Sequence, residues 1–137
     1  LRTPWQLERG KRMTTNEVRE YLKSYRNYKD RVTYIENKAI SRIGEPTIKN
    51  DYIVMKEECK KEMENIRNTI DKVTTLKYRM ALYYRYIDSL ETYEVAEIMS
   101  ISPRVAEKYY HEGIAELANI LEWCYSSFKA VLNLVKC

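Results

Sequence analysis

The amino-acid sequence predicts an all-α protein: a long antiparallel helical hairpin, then a helix-turn-helix, then a C-terminal helical extension. Three observations carry that expectation. The 137 residues include only three glycines and three prolines, while 32% are charged and 45% hydrophobic; few breakers with many Glu, Lys and Arg favour helices. Two long stretches repeat their apolar residues at steps of three and four, strictly alternating in the first and with a small phase slip around Cys59–Met63 in the second, which keeps one stripe on one side of a helix. Ser102 followed by Pro103 is a restart signal, because Ser caps orphan N–H groups and Pro at the first helical position has no needed donor to lose.

The expected units are a tail over 1–13, the hairpin over 14–74, the helix-turn-helix domain over 75–123 and the extension over 124–137. The tail holds Pro4, Trp5, Gly10 and the basic cluster Arg9, Lys11 and Arg12, read as solvated charge. Met13-Thr14-Thr15-Asn16 reads as a natural start, so residues 1–12 are expected to be an added or upstream extension. Thr14 or Thr15 caps the first helix, with Glu17 favourable near its N-terminus. Its seam is Val18, Tyr21, Tyr25, Tyr28, Val32, Ile35 and Ala39, widened by Leu22 and Ile40. Ile43-Gly44 should end it, with Pro46 confirming the stop.

A loop over 45–50 follows, and Asn50 or Asp51 caps a second long helix with Tyr52, Met55, Cys59, Met63, Ile66, Ile70 and Val73 on its inner side. Two helices of this length joined by a short loop must lie antiparallel. The acids Glu57, Glu58, Glu62 and Glu64 sit among lysines and read as solvated salt-bridge surface. The stretch 71–75, with Thr74 and Thr75 as caps, is the seam between halves. Helix three, over 76–88, is expected to bury Met80, Leu82 or Tyr83, and Ile87.

The stretch 92–117 organises the rest. Thr92 caps a short helix whose apolar positions are Val95, Ile98 and Met99; Ser100-Ile101-Ser102 breaks it, with Ile101 plugging the corner. The next helix buries Ala106, Tyr110, Gly113 and Leu117, leaving Pro103, Arg104, Glu107, Lys108 and His111 outside. Small Ala96, an apolar turn residue and a capped second helix are what two helices meeting at a steep angle require. The same helix can run on through Leu121, Cys124, Phe128, Val131 and Val135, again at steps of three and four.

Around this motif the sequence YRMALYYRYIDSLETYEVAEIMSIS resembles region 4 of sigma-70-class factors. It resembles more closely the sigma-region-4-like regulators of phages and prophages, of the RinA-like and ArpU-like kind. The matching residues are Arg85-Tyr86-Ile87, Glu94-Val95-Ala96-Glu97-Ile98-Met99, Ile101-Ser102, His111 and Leu117, within 76–121; the N-terminal half matches only in layout, and the extension has no counterpart. The resemblance implies a DNA-binding transcription regulator that acts with RNA polymerase.

On that reading Arg104, Lys108 and His111 meet DNA at the start of the recognition helix. Pro103 and Glu107 touch bases or the sugar edge, Glu107 as an acceptor for a cytosine amino group. Lys77, Arg79 and Arg85 on helix three are phosphate candidates. One feature runs against it: residues 1–74 hold 17 Lys and Arg against 12 Asp and Glu, but residues 75–123 hold 5 against 8. Glu107, Glu112 and Glu116 outnumber Arg104 and Lys108, so one copy should bind weakly. A homodimer formed through the apolar seams and the stripe beyond Leu121 would double the contacts.

Two other readings stand: a helical adaptor docking on RNA polymerase or another phage factor, and a small oligomeric DNA-packaging subunit. Enzymatic chemistry is not expected. There is no Gly-rich phosphate loop, no His-containing triad and no two-His metal pair, so no catalytic residue, cofactor or metal is assigned. Cys59, Cys124 and Cys137 have no metal spacing and there is a single His, which reads as free thiols in a reducing cytoplasm. No apolar run approaches the roughly 20 residues of a membrane span.

Overall fold

The computed structural model describes the backbone of residues 12–41 and 46–121 and, outside 39–50, their side chains. Among these residues the fold is all-α, with five α-helices and one π-helical turn, and no helix is long and apolar enough to cross a membrane. The expected stop at Ile43 and Gly44, Cys124, Cys137 and the apolar stripe beyond Leu121 lie outside the described residues.

Helix α1 (Thr15–Ser41) opens on a reciprocal cap: Thr14 Oγ1 accepts from the Glu17 N–H at 3.2 Å and Glu17 Oε1 accepts from the Thr14 N–H at 3.0 Å. Two orphan donors are thereby satisfied. Val18, Leu22, Tyr25, Tyr28, Val32 and Ile35 are buried. Leu22, expected only to widen the stripe, is fully buried, and Tyr21 is half-buried beside it.

Helix α2 (Pro46–Ile70) begins earlier than expected. Pro46 is its first residue, not the breaker after α1, and neither Asn50 nor Asp51 caps it; the fixed φ of proline suits a helix's first position as well as a stop. Arg67 Nη1 donates to the Tyr25 hydroxyl at 2.9 Å and Lys56 pairs with Glu36 at 3.2 Å, so α1 and α2 run in opposite directions. Cys59, Ile66 and Ile70 are buried between them, and burial pushes the Cys59 thiol up. Glu62 departs from the expected solvated surface: it is half-buried, and burial raises its carboxyl above the ordinary range.

Val73 is fully buried but lies past the end of α2, in the turn that leads to α3 (Leu76–Leu82). Thr75 occupies the cap position of α3 without a side-chain cap bond. The expected helix over 76–88 changes character halfway. Residues Tyr83–Ile87 form a π-helical turn, closed by the Asp88 N–H on the Tyr83 carbonyl at 3.0 Å. The wider turn alters the phase: Ala81 and Leu82 are the buried pair, Met80 is exposed, and Tyr83 and Ile87 are half-buried. The Tyr83 hydroxyl donates to Asp71 Oδ1 at 2.6 Å, tying the turn to the end of α2. Burial and that bond push its pKa up to about 12.

Helix α4 (Thr92–Met99) is capped by Glu91, not Thr92. The Glu91 N–H donates to Glu94 Oε1 at 3.1 Å and the Glu91 side chain accepts from the Glu94 N–H, a box built with Glu where Ser or Thr is usual. Val95 and Ala96 are buried, but Ile98, expected inside, is 54% exposed. The helix ends where Ser100 turns left-handed at φ 57°. The Ile101 N–H then reaches the Ala96 carbonyl at 2.9 Å and the Ser100 N–H the Glu97 carbonyl at 3.2 Å. These paired bonds are a Schellman stop, and Ile101 is half-buried at the corner.

Helix α5 (Pro103–Ile120) starts as expected, with Ser102 Oγ accepting from the Val105 N–H at 3.2 Å and Pro103 in the first turn. Ser102→Ala is expected to cost about 1 kcal/mol of stability; an unchanged thermal melting point would deny the cap that value. The helix does not run on into the extension. Leu121 is extended, at φ −87° and ψ 133°, and its carbonyl accepts from the Met13 N–H at 3.2 Å. One apolar cluster joins all of this, from Val18 and Leu22 through Ile66, Val73 and Leu82 to Ala106, Ile114 and Leu117.

Candidate nucleic-acid interface

Helix α5 divides into two faces. Ala106, Tyr110, Gly113, Ile114 and Leu117 are buried. Pro103, Arg104, Glu107, Lys108 and His111 are all exposed, as expected. A cap that fixes the helix start and a buried stripe that fixes its roll together dictate which side chains reach solvent.

The two edges of the exposed face are held differently. On one edge Tyr109 packs against Tyr78 of α3, ring centroids 5.5 Å apart, and the Lys77 ammonium lies over both rings at 5.4 and 5.3 Å. On the other, Arg19 Nη2 of α1 lies 3.4 Å from His111 Nδ1. Positions 109 and 111 are about 160° apart around a helix of 3.6 residues per turn. Lys77 and Arg19 therefore stand on opposite flanks of the face that carries Arg104 and Lys108.

The other helix-three candidates are placed elsewhere. Arg79 Nη1 donates to the Val73 carbonyl at 3.4 Å and Arg85 Nη1 to the Leu90 carbonyl at 2.9 Å. Both are half-buried and close the turns on either side of helix three. Of the three, Lys77 alone is exposed.

The acidity of α5 is also distributed differently from the expectation. Glu116 leaves the outward face and turns to Thr74, whose amide and hydroxyl both donate to Glu116 Oε1 at 2.6 Å. These bonds hold the Glu116 carboxyl below its ordinary range. They also place a negative charge just before the first turn of α3, where a helix dipole favours it. Around the exposed face Glu107 and Glu112 then stand against Arg104, Lys108, Lys77 and Arg19.

Arg19 is the residue that sequence reasoning misses here. It reads as one more cation on the outer side of α1, and nothing local brings it to a partner 92 positions away. Among the described residues no group of three His, Cys, Asp or Glu is placed to hold a metal ion. No family model matches the chain, and no curated protein or solved structure matches it.

Proposed function

We propose that the chain is a non-enzymatic, DNA-binding transcription regulator of the phage and prophage type. In this reading α1 and α2 form an antiparallel hairpin that supports a sigma-region-4-like helix-turn-helix made of α4 and α5. The observation that carries it is the exposed face of α5: Pro103, Arg104, Glu107, Lys108 and His111 lie together just past a capped start, and basic side chains border both edges. An α-helix presenting such a face fits the major groove. Arg104 and Lys108 are its central contacts, His111 and Lys77 its margins, and Pro103 and Glu107 its base or sugar-edge neighbours. Arg79 and Arg85 act through the turns they close. Two copies of the chain would set two such faces on neighbouring half-sites, in the cytoplasm where the DNA is.

Equilibrium binding to duplexes from the DNA flanking its own gene, at two salt concentrations, tests the proposal. Arg104→Ala and Lys108→Ala should each weaken binding by about 1–3 kcal/mol while the melting temperature stays near wild type. If wild type binds and both variants bind equally well, α5 is not the reader.

A second reading, the adaptor that docks on RNA polymerase or another phage factor, is favoured by α4. Tyr93 and Ile98 are 66% and 54% exposed there, and apolar side chains in solvent suit a protein partner better than a phosphate backbone. A wild-type chain that binds no duplex at either salt concentration, yet associates with RNA polymerase, would decide for it.

A further inference from the structure

We infer that Arg19 of α1 and His111 of α5 form a two-donor site for a backbone phosphate of duplex DNA, at the flank of the α5 face. The inference rests on the DNA-binding reading and adds to it a contact from the N-terminal half of the chain.

The hydrogen-bond chemistry of the pair fixes what it can hold. Arg19 is half-buried. Its Nη1 donates to Asn16 Oδ1 at 3.0 Å and its Nη2 meets His111 Nδ1 at 3.4 Å, while burial raises the Tyr86 hydroxyl's pKa and the Arg19 charge draws it down against that effect. A guanidinium has donors and no acceptor, so His111 Nδ1 must accept. The imidazole in this contact is then neutral, with its proton on Nε2, and His111 is exposed. Asn16 and His111 are neutral groups. They orient the guanidinium without cancelling its charge, and its remaining N–H groups are available. One cationic fork and one neutral N–H, with no acceptor between them, suit an anion that offers several oxygens. A base edge presents donors as well as acceptors, so it is matched less well.

Position points the same way. The pair borders the α5 face on the side opposite Lys77; around the helix axis Arg104 and Lys108 lie between the two. Phosphates line the two rims of a groove whose floor carries the base edges. A helix seated in that groove meets phosphate at its flanks, and Arg19 and Lys77 occupy the two flanks.

The salt dependence of binding by the full chain separates a phosphate contact from a structural tie. Arg19→Ala is expected to weaken binding roughly tenfold at 0.1 M salt, and to reduce the slope of log K against log salt by about 0.9, the value for one phosphate. Arg19→Lys should restore the slope. His111→Ala should weaken binding with the slope unchanged, because the donor it removes is neutral; His111→Gln, whose amide nitrogen can stand in for Nε2, should recover much of the loss. The chain has one histidine, so ring nitrogen spectra are unambiguous: the Nε2–H tautomer should dominate in wild type and relax toward a mixture in Arg19→Ala. If Arg19→Ala fails to fold, Arg19→Gln against Arg19→Lys gives the same comparison of charge removed with charge kept. Wild-type binding with an unchanged slope in the charge-removed variant overturns the phosphate pair and leaves the DNA reading intact. A wild type that binds no duplex overturns both.

Discussion

Leu82→Ala should lower the stability of the chain by about 2–5 kcal/mol, the range for deleting a fully buried leucine. Leu82 ends α3, is fully buried and precedes the π-helical turn. Its Cδ1 and Cγ reach so close to α5 that a Cβ on Gly113 would lie 2.8 and 3.3 Å from them. The leucine therefore fills a notch that α5 leaves open for it, and alanine would leave that notch empty. Neighbouring groups are poorly placed to collapse into it: Ala81 is small, and Tyr78 is committed to the ring contact with Tyr109. Urea unfolding followed by circular dichroism measures the effect. A loss below about 1 kcal/mol, outside the leucine-deletion range, would mean that α3 and α5 do not interlock at this point.

The complementary change is Gly113→Val, expected to cost about 1–3 kcal/mol by overpacking. The added carbons would meet Leu82 and, at 3.4 Å, the Tyr78 Cβ. A helix-interior glycine ordinarily costs about 1 kcal/mol relative to alanine, so on propensity alone Gly113→Ala should stabilise. Here the close approach of Leu82 opposes that gain. The two effects separate in a double-mutant cycle. Gly113→Ala should be neutral or destabilising in wild type, and stabilising by about 1 kcal/mol in the Leu82→Ala background. Additive changes would sink the steric account of this glycine.

Much of the architecture is legible in the sequence where the physics is local. The stripe of α1 follows from its spacing, and Thr14 with Glu17 marks its start. The exposed face of α5 follows from Ser102, Pro103 and the buried Ala106, Tyr110, Gly113 and Leu117. What escaped has physical reasons. A π-helical turn has no propensity signature in Tyr83-Tyr84-Arg85-Tyr86-Ile87, so a helix of constant period assigns Met80 to the core in place of Ala81. Glu91 caps α4 where Thr92 has the stronger intrinsic preference, because Glu94 can close the box back onto Glu91. Pro46 is ambiguous by nature, since proline both follows helices and starts them. Arg19 beside His111 and Glu116 on Thr74 are long-range pairings, and a count of charges along the chain cannot anticipate which of them leave the surface of α5.

Helix α1 lies against α2, the π-helical turn and α5 alike, and the Met13 amide fastens its approach to Leu121. No line of weak packing separates the first helical pair from the rest, because Val18 and Leu22 share one cluster with Ala106 and Leu117. Melting is therefore expected to be cooperative, with α5 and α1 losing their mutual cover together. Amide hydrogen exchange along the inner side of α1 should follow that of α5 in a common opening event. By mass action, anything that binds the folded α5 protects α1 and α2 as well. Occupancy at one end of the molecule is thus reported at the other without any change of shape.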